Sequence, residues 1–278
     1  LACSQTRICF IMMKIQNDIY TGAQGRKSLI DLEIPDNFNG KIILFIHGFM
    51  GFKDWGAWHL VMDYFVQKGY GFCKFNISHG GGTSKNGIDF PDPDSFGDNT
   101  FSHELEDLKK VVLWIDEKVS DWQGHLIGHS KGGAIALIAG EQIERIRSIS
   151  TWAAIASIGE RFPTGEKLEN WKSTGVKYVK NGRTMQELPQ KYTLYTDYMT
   201  NENAFDLERI CRAIDKPIFV AHGEEDTSVD INNGRRLAKW SKTNLCVIRH
   251  TDHVFDSRHP WTKTELPTPL LQLCMKTE

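Results

Sequence analysis

One short stretch limits what this chain can fold into more than any other. Residues 126–133 read Leu-Ile-Gly-His-Ser-Lys-Gly-Gly, and a run of small, helix-favouring residues, 134–139, follows them. An apolar run that stops at a glycine before such a segment predicts a strand, a very tight turn and a helix. Gly128 and Gly132 in this turn (the elbow, residues 128–132) lack a Cβ, which lets the strand and the helix cross closely.

The elbow places Ser130 between two glycines with the spacing Gly-x-Ser-x-Gly, which is typical of a nucleophile elbow. In that geometry the serine takes a strained backbone conformation, and its hydroxyl projects above the sheet. The N–H groups at the start of the following helix can stabilise a developing oxyanion. Because five-residue patterns also arise by chance, the other strands must supply partners for Ser130.

The rest of the chain alternates strand-like and helix-like segments. The segments 13–20 and 28–34 predict an antiparallel hairpin at a sheet edge. Further strands are predicted at 41–46, 70–77, 125–127, 146–156, 218–221 and 245–248, and helices at 55–68, 105–119, 134–139 and 230–240. A long loop is predicted at 79–99, and a terminal helix or tail ends the chain. This rhythm predicts an α/β fold with a mostly parallel central sheet flanked by helices.

The rhythm breaks between residues 157 and 208. This segment is polar and aromatic, and it contains a predicted hairpin of 177–179 with 183–185 around Asn181-Gly182. We interpret 157–208 as a lid inserted after the sixth strand of the sheet. The core domain is then formed by residues 12–156 and 209–278.

The beginning of the chain does not fit the pattern of a folded element or a signal peptide. Leu1 precedes two methionines, Met12 and Met13, and residues 1–11 lack the apolar core of a secretory signal. We expect translation to begin at Met12 or Met13, with residues 1–11 as a non-native or disordered extension. A leader segment is the alternative.

Charge and cysteine content exclude several functions. The formal net charge is −2, so no strong field attracts nucleic acid or an anionic membrane surface. No run approaches the roughly 18 apolar residues that a membrane span needs. The six cysteines include no Cys-x-x-Cys pair, which argues against a zinc ribbon or a dithiol redox site. Cys73 and Cys246 fit as small buried hydrophobes, and we expect a reducing, cytoplasmic location.

Polar groups follow three of the predicted strands in the order Ser, Asp, His. Ser130 follows the elbow strand, Asp226 follows 218–221, and His253 follows 245–248. A serine hydroxyl needs a base to become a nucleophile, and the base needs an anion to fix its tautomer. Functional groups of parallel sheets lie at the carboxyl ends of the strands, so these three side chains are expected to meet.

On these residues the chain resembles the α/β-hydrolase superfamily of serine hydrolases. The resemblance rests on four motifs at strand ends, in this order: His47-Gly48-Phe49, the elbow, His222-Gly223-Glu224-Glu225-Asp226 and Asp252-His253. It implies Ser130 as nucleophile, His253 as base and Asp226 as the orienting acid. It also implies the backbone N–H groups of Phe49 and Lys131 as oxyanion donors, with no cofactor and no metal.

The lid after the sixth strand resembles the serine aminopeptidase-like group and the feruloyl esterases. The resemblance therefore implies hydrolysis of a carboxylic ester through an acyl-enzyme, with feruloyl-type or short-chain acyl esters as small-molecule substrates. A peptidase acting on short peptides is the alternative, and a non-catalytic binding module is a third reading. Lys131 departs from the family pattern, where Met, Gln or Leu is more usual. Its charge would bias the pocket toward acidic substrates.

Other residues compete for the same roles. His79-Gly80-Gly81-Gly82 matches a glycine-rich oxyanion loop of one lipase branch, but only one predicted helix separates it from the elbow strand, which favours Phe49. Glu224, Glu225 and Asp230 are neighbours of the predicted acid, and His250 and His259 of the predicted base. His250 and His253 lack a carboxylate that would complete a metal site.

The pocket residues are harder to choose. Aromatic side chains and one histidine could contact an acyl or alcohol group, and packing in the lid or core is the alternative for each. The candidates for substrate binding are His129, Trp152, Trp171 and Tyr178, with Phe205 as a further aromatic residue.

Overall fold

The structure is a computed structural model that describes residues 11–278. The strands are β1 (Ile11–Thr21), β2 (Lys27–Pro35), β3 (Lys41–Ile46), β4 (Gly71–Phe75), β5 (Gln123–His129), β6 (Ile146–Trp152), β7 (Val176–Lys180), β8 (Glu187–Lys191), β9 (Ile218–Gly223) and β10 (Leu245–Ile248). The helices are α1 (Trp58–Gln67), α2 (Pro93–Asp98), α3 (Phe101–Asp116), α4 (Lys131–Gln142), α5 (Glu166–Thr174), α6 (Thr193–Thr200), α7 (Leu207–Ala213), α8 (Asn232–Trp240) and α9 (Thr268–Thr277). Apart from Ile11, the predicted extension of residues 1–11 lies outside the described residues.

Within residues 11–278, an eight-stranded sheet has the order β1-β2-β4-β3-β5-β6-β9-β10. The first two strands form the predicted antiparallel hairpin, and β2 pairs antiparallel with β4. All pairs from β4 to β10 are parallel. The predicted mostly parallel sheet flanked by helices is therefore confirmed.

Strand β3 shows why a continuous apolar run favours a central parallel strand. Every residue from Ile42 to Ile46 is buried, because helices cover both faces of the sheet. Ile42, Leu44 and Ile46 belong to the core that α3 and α4 cover, and Ile43 and Phe45 belong to the core that α1 and α9 cover. Successive side chains of a strand point to opposite faces, so one strand serves both layers.

Two predicted boundaries differ from the structure near the long loop. The segment 79–99 contains α2, which begins where the Asp92 carboxylate accepts a hydrogen bond from the N–H of Ser95 at 3.0 Å. Pro93 suits the first position of a helix, where no N–H is needed. Helix α3 begins at Phe101, capped by Thr100, rather than at residue 105. Both starts were signalled by capping residues rather than by apolar periodicity.

The hairpin within 157–208 is real, but its second strand begins later than predicted. Strand β7 pairs antiparallel with β8, which starts at Glu187 instead of residue 183. The side chain of Asn181 accepts hydrogen bonds from the N–H groups of Arg183 and Thr184 at 2.9 and 3.0 Å. Asn181 therefore organises a longer loop than the tight Asn-Gly turn we predicted.

No helix in residues 11–278 is long and apolar enough to cross a membrane.

Candidate active site

Ser130 lies at the turn between β5 and α4, in the middle of the central sheet. Strand β5 ends at His129, α4 begins at Lys131, and Ser130 between them has φ 56° and ψ −122°. Its N–H donates to the carbonyl oxygen of Trp152 at 2.9 Å, which fastens the turn to β6. A positive φ is costly for a residue with a Cβ and is retained where the surroundings enforce it, often at functional sites.

The glycines of the elbow are required by contacts with backbone. A Cβ at Gly128 would lie 2.2 Å from the carbonyl oxygen of Gly132, and a Cβ at Gly132 would lie 2.3 Å from that of Ile46. Neither oxygen can move without moving a strand or a helix. The pattern Gly-x-Ser-x-Gly therefore reflects the close crossing of β5, β3 and α4.

We expect Gly132→Ala to lower the free energy of unfolding by about 3 kcal/mol. The added methyl group would overlap the backbone of β3, so that the strand or the elbow would have to shift. Urea unfolding followed by circular dichroism measures the change. Gly182→Ala is the matched control, since a Cβ there would meet nothing within 4 Å. Equal stability of the two variants would contradict this account of the elbow.

Asp226 and His253 are joined as the sequence predicts. The Nδ1 atom of His253 lies 2.7 Å from Oδ2 of Asp226. The other carboxylate oxygen, Oδ1, accepts hydrogen bonds from the N–H groups of Ser228 and Val229 at 2.8 and 2.9 Å. Both oxygens of the carboxylate are thus hydrogen-bonded. Because Nδ1 of His253 donates to Asp226, Nε2 is the nitrogen left free to accept a proton.

His222 is a partner of Asp226 that sequence reasoning missed. It is fully buried, its Nε2–H donates to the carbonyl oxygen of Val229 at 2.8 Å, and the same nitrogen lies 3.2 Å from Oδ2 of Asp226. Burial by itself raises the pKa of Asp226, but hydrogen bonds from His222 and His253 outweigh it and hold that pKa well below its usual range. Asp226 is therefore a permanent anion near neutral pH.

His129 neighbours the reactive groups without sharing their chemistry. Its Nε2–H donates to the backbone oxygen of His253 at 2.9 Å, and its ring packs on Trp58 with the centroids 5.4 Å apart. Burial lowers the pKa of His129 to about 3, and the charge of His253 adds to the decrease. His129 stays neutral above pH 5, so it packs against the loop that carries His253 rather than accepting a proton.

A depressed histidine pKa makes stability depend on pH. The unfolded chain protonates His129 near pH 6.5, whereas the folded chain does so only at about 3, so its contribution is present above pH 6.5 and is lost as the pH falls. Between pH 7 and pH 5 the free energy of unfolding of the wild type should fall by roughly 1–2 kcal/mol more than that of His129→Gln. Urea titrations of wild type and variant at both pH values measure it, since the contributions of other groups cancel in the difference.

The control for this prediction is His59→Gln, which removes an exposed histidine. Its pH dependence should match that of the wild type. A His129→Gln variant with the wild-type pH dependence would show that burial does not depress this histidine.

The segment of His47, Gly48 and Phe49 and the first turn of α4 meet at the elbow. Gly48 lies against Ser130, since a Cβ at Gly48 would be 3.0 Å from the Cβ of Ser130. Lys131 is the first residue of α4, where helical N–H groups lack a partner within the helix. Among residues 11–278, neither Phe49 nor Lys131 donates its N–H to another group. The alternative loop, 79–82, follows β4, which is separated from β5 by β3.

The loop that carries Phe49 is anchored by a buried group of charges that the sequence did not signal. Lys53 Nζ contacts Asp31 of β2 at 2.8 Å and Asp54 at 2.6 Å, and Lys74 of β4 contacts the same two carboxylates. Both lysines are almost fully buried. Such a network is costly to disrupt, so it fixes the loop relative to the sheet edge.

A cavity of about 490 Å³ opens at the carboxyl ends of the strands, and Ser130, His253, Phe49 and Lys131 all line it. Its wall is mainly apolar, as is usual for a small-molecule site. Apolar contributions come from Phe96, Phe101, Ile155, Phe162, Leu194 and Val229.

The four candidate substrate-binding residues lie outside this lining as it is formed in residues 11–278. His129 packs beneath the His253 loop, and Trp152 is fully buried with its Nε1–H donating to Thr277 at 3.1 Å. Trp171 is also buried and donates to the carbonyl oxygen of Gln190 at 2.8 Å. Tyr178 points to solvent, because it alternates along β7 with two residues that face the cavity.

Two lining residues, Asn99 and Glu104, had no role in the sequence analysis. Lys131 forms an ion pair with the buried carboxylate of Glu104 in α3, and Glu104 also accepts a hydrogen bond from the Asn99 amide at 2.6 Å. The expected bias of Lys131 toward acidic substrates is therefore offset by its partner. Pairs between residues this far apart in sequence leave no local signal.

Residues 11–278 contain no cluster of three or more His, Cys, Asp or Glu side chains that could hold a metal ion. His250 lies 3.5 Å from Glu225 at an exposed position, away from the cavity lining.

Comparisons with known proteins agree with this architecture. A family model described as the alpha/beta hydrolase fold matches residues 41–181, just over half of the chain. Curated protein sequences gave no match.

Solved structures resemble the chain over most of its length. Est1E from Butyrivibrio proteoclasticus with bound ferulic acid has a TM-score of 0.68 at 18% identity and covers 93% of this chain and 96% of its own. The esterase domain of a Rhodothermus marinus protein has a TM-score of 0.62 at 19% identity, covering 88% and 91%. A putative hydrolase from Agrobacterium vitis S4 has a TM-score of 0.71 at 17% identity and covers 98% of both chains.

Identities this low establish the fold and leave the substrate open. The family model adds the sequence evidence, because it spans both the segment of His47, Gly48 and Phe49 and the elbow. The fold and superfamily predicted from motifs at strand ends are confirmed. The chain belongs to the α/β-hydrolase family.

Proposed function

We propose that this chain hydrolyses carboxylic esters through an acyl-enzyme formed on Ser130. One observation carries the proposal: His253, held by Asp226 at 2.7 Å, lines the same cavity as the strained Ser130. A serine, an imidazole and a buried anion in this arrangement are the parts of a serine hydrolase.

In the proposed reaction, Ser130 Oγ attacks the ester carbonyl while Nε2 of His253 accepts its proton. The backbone N–H groups of Phe49 and Lys131 donate to the tetrahedral oxyanion. His253 then protonates the departing alcohol, and water hydrolyses the acyl-enzyme with His253 again as base. Asp226 stabilises the imidazolium at both steps.

Esters are preferred over peptides because of the charges in the cavity. A peptidase that binds a free amino terminus needs an unpaired carboxylate, and Glu104 is the one carboxylate in the lining formed by the described residues. Lys131 already neutralises it. The esterase domain and the ferulic acid complex among the similar structures support an ester substrate, with feruloyl-type and short-chain acyl esters as candidates. A binding module would not need three such side chains.

We further propose that residues 157–208 act as a lid on this site and that the protein works in the cytoplasm. Residues of β7, β8 and α6 line the cavity, so this segment controls which groups reach Ser130. The cysteines at 73, 211, 246 and 274 are unpaired, which supports a reducing compartment.

The experiment combines a covalent probe with a substrate panel. A fluorophosphonate should label Ser130, identified by mass spectrometry of the tryptic peptide. Nitrophenyl esters, feruloyl esters and aminoacyl anilides then separate the activities. A folded protein that fails to label contradicts the hydrolase proposal, and turnover of anilides without any ester would replace the esterase with a peptidase.

A further inference from the structure

Two cations on the lid side of the cavity lack a counter-ion. Lys177 of β7 and Arg161, just before α5, both line the cavity, and neither forms an ion pair with any group of residues 11–278. The nearest acidic neighbour in sequence, Glu160, is bound by Arg236 at 2.8 Å. The cavity therefore carries two positive charges that no carboxylate of the described residues binds in an ion pair.

Three other cations near this site are paired with carboxylates. Lys131 is bound to Glu104, Lys191 of β8 contacts Asp98 at 2.6 Å, and Arg183 contacts Asp89. Lys177 and Arg161 differ from these three because they line the cavity without a carboxylate partner among the described residues.

Lys177 lines the cavity from β7. Along β7 it alternates with Tyr178, which faces solvent. It lies directly opposite Gln190 of β8, and Gln190 also lines the cavity. Its Nζ lies 4.1 Å from the centroid of the buried Trp171 ring. Burial lowers the pKa of Lys177, and no neighbouring carboxylate opposes that shift. A bound anion would remove this cost.

Arg161 reaches the same wall through its neighbour. Phe162, the next residue, packs on Trp171 with the ring centroids 6.1 Å apart and also lines the cavity. Phe162 therefore contributes apolar surface to the same cavity that Lys177 and Arg161 line. Two cations beside an apolar wall suit a ligand with an apolar body and a charged end.

We propose that the cavity selects esters that carry a second, anionic group such as a carboxylate, which Lys177 and Arg161 bind while Ser130 attacks the ester. This inference rests on the ester hydrolysis proposed above and names its substrate class. The anion can belong to the acyl group or to the alcohol, and the chemistry of recognition is the same.

The test compares acids with their uncharged amides. For the acyl side, the substrates are the nitrophenyl monoester of suberic acid and the same ester with a terminal primary amide. For the alcohol side, they are the acetate esters of hydroxyhexanoic acid and of its primary amide. We expect kcat/KM to favour the acid by about tenfold or more in at least one pair, as for a charge-assisted contact. The preference should shrink as salt is raised.

The double variant Lys177→Met/Arg161→Met should bring the acid-to-amide ratio close to one. Lys172→Met, which removes an exposed cation of α5 outside the lining, should leave the ratio unchanged. Parity in both wild-type pairs, or a preference that survives the double variant, overturns the proposed anion site. If neutral esters are still hydrolysed in that case, ester hydrolysis itself stands.

A binding measurement decides the question even if no ester is turned over. Calorimetry with the Ser130→Ala variant compares the affinity of each acid with that of its amide. The anion site is supported if Ser130→Ala binds the acid more tightly than the amide and this difference disappears once Lys177→Met and Arg161→Met are added. Equal affinities for acid and amide overturn it. Absence of turnover would count against ester hydrolysis alone.

Discussion

Replacing Ser130 by alanine is expected to reduce kcat for nitrophenyl ester hydrolysis by a factor on the order of 10⁶, to the level of the uncatalysed background plus residual oxyanion stabilisation. The Oγ oxygen is the only heavy atom removed, and it is the atom proposed to bond to the acyl group in the acyl-enzyme. The backbone strain at φ 56° is similar for alanine and serine, so the fold should persist. Initial rates and far-UV circular dichroism check both expectations.

Ser228→Ala is the matched control for this experiment. Ser228 also lines the cavity, but its contribution to the site is its N–H, which binds Asp226 at 2.8 Å and remains in the variant. We expect its kcat/KM to stay within a few-fold of wild type. A Ser130→Ala protein that retained even a hundredth of the activity would show that another group is the nucleophile.

The groups proposed to react could be found from sequence because the parallel sheet gathers them. Each of Ser130, Asp226 and His253 follows an apolar strand run, and parallel strands end at one edge of the sheet. Their meeting then depends on strand order alone, which alternation of strands and helices largely dictates. The hydrogen bond between Asp226 and His253 is the direct outcome.

The pocket could not be found in the same way, because its residues meet through side-chain direction and long-range pairing. Tyr178 and Lys177 are neighbours in sequence, yet only Lys177 faces the cavity, and the register of β7 on β8 decides which. Glu104 meets Lys131 only because α3 packs beside α4. Hydrophobicity patterns locate buried faces and do not show which charges are paired on them.

Asp226→Asn is expected to lower kcat at neutral pH by about 10⁴, a large loss for a substitution that replaces one oxygen atom by an NH₂ group. The N–H groups of Ser228 and Val229 need an acceptor, so the asparagine oxygen should take the place of Oδ1. The amide NH₂ then faces His253 where the carboxylate accepted a hydrogen bond from Nδ1–H. Two donors would oppose each other there, and His253 would switch to the tautomer with its proton on Nε2.

That tautomer cannot accept the proton of Ser130, which is why the expected loss is in kcat rather than in KM. The measurement is the steady-state hydrolysis of a nitrophenyl ester, with fluorophosphonate labelling as a second readout that should slow in parallel. Glu225→Gln removes a carboxylate from the same loop at an exposed position and should leave both rates within a few-fold of wild type.

The comparison of these two variants separates geometry from charge. If Asp226 acted only through its negative charge, neutralising the nearby Glu225 would also lower the rate clearly, although by less than Asp226→Asn does. If it acts by fixing the imidazole, as the 2.7 Å contact with His253 and the two backbone N–H groups on Oδ1 indicate, only Asp226→Asn is severe. An Asp226→Asn enzyme within tenfold of wild type would mean that His222 and the backbone of this loop orient His253 without the carboxylate.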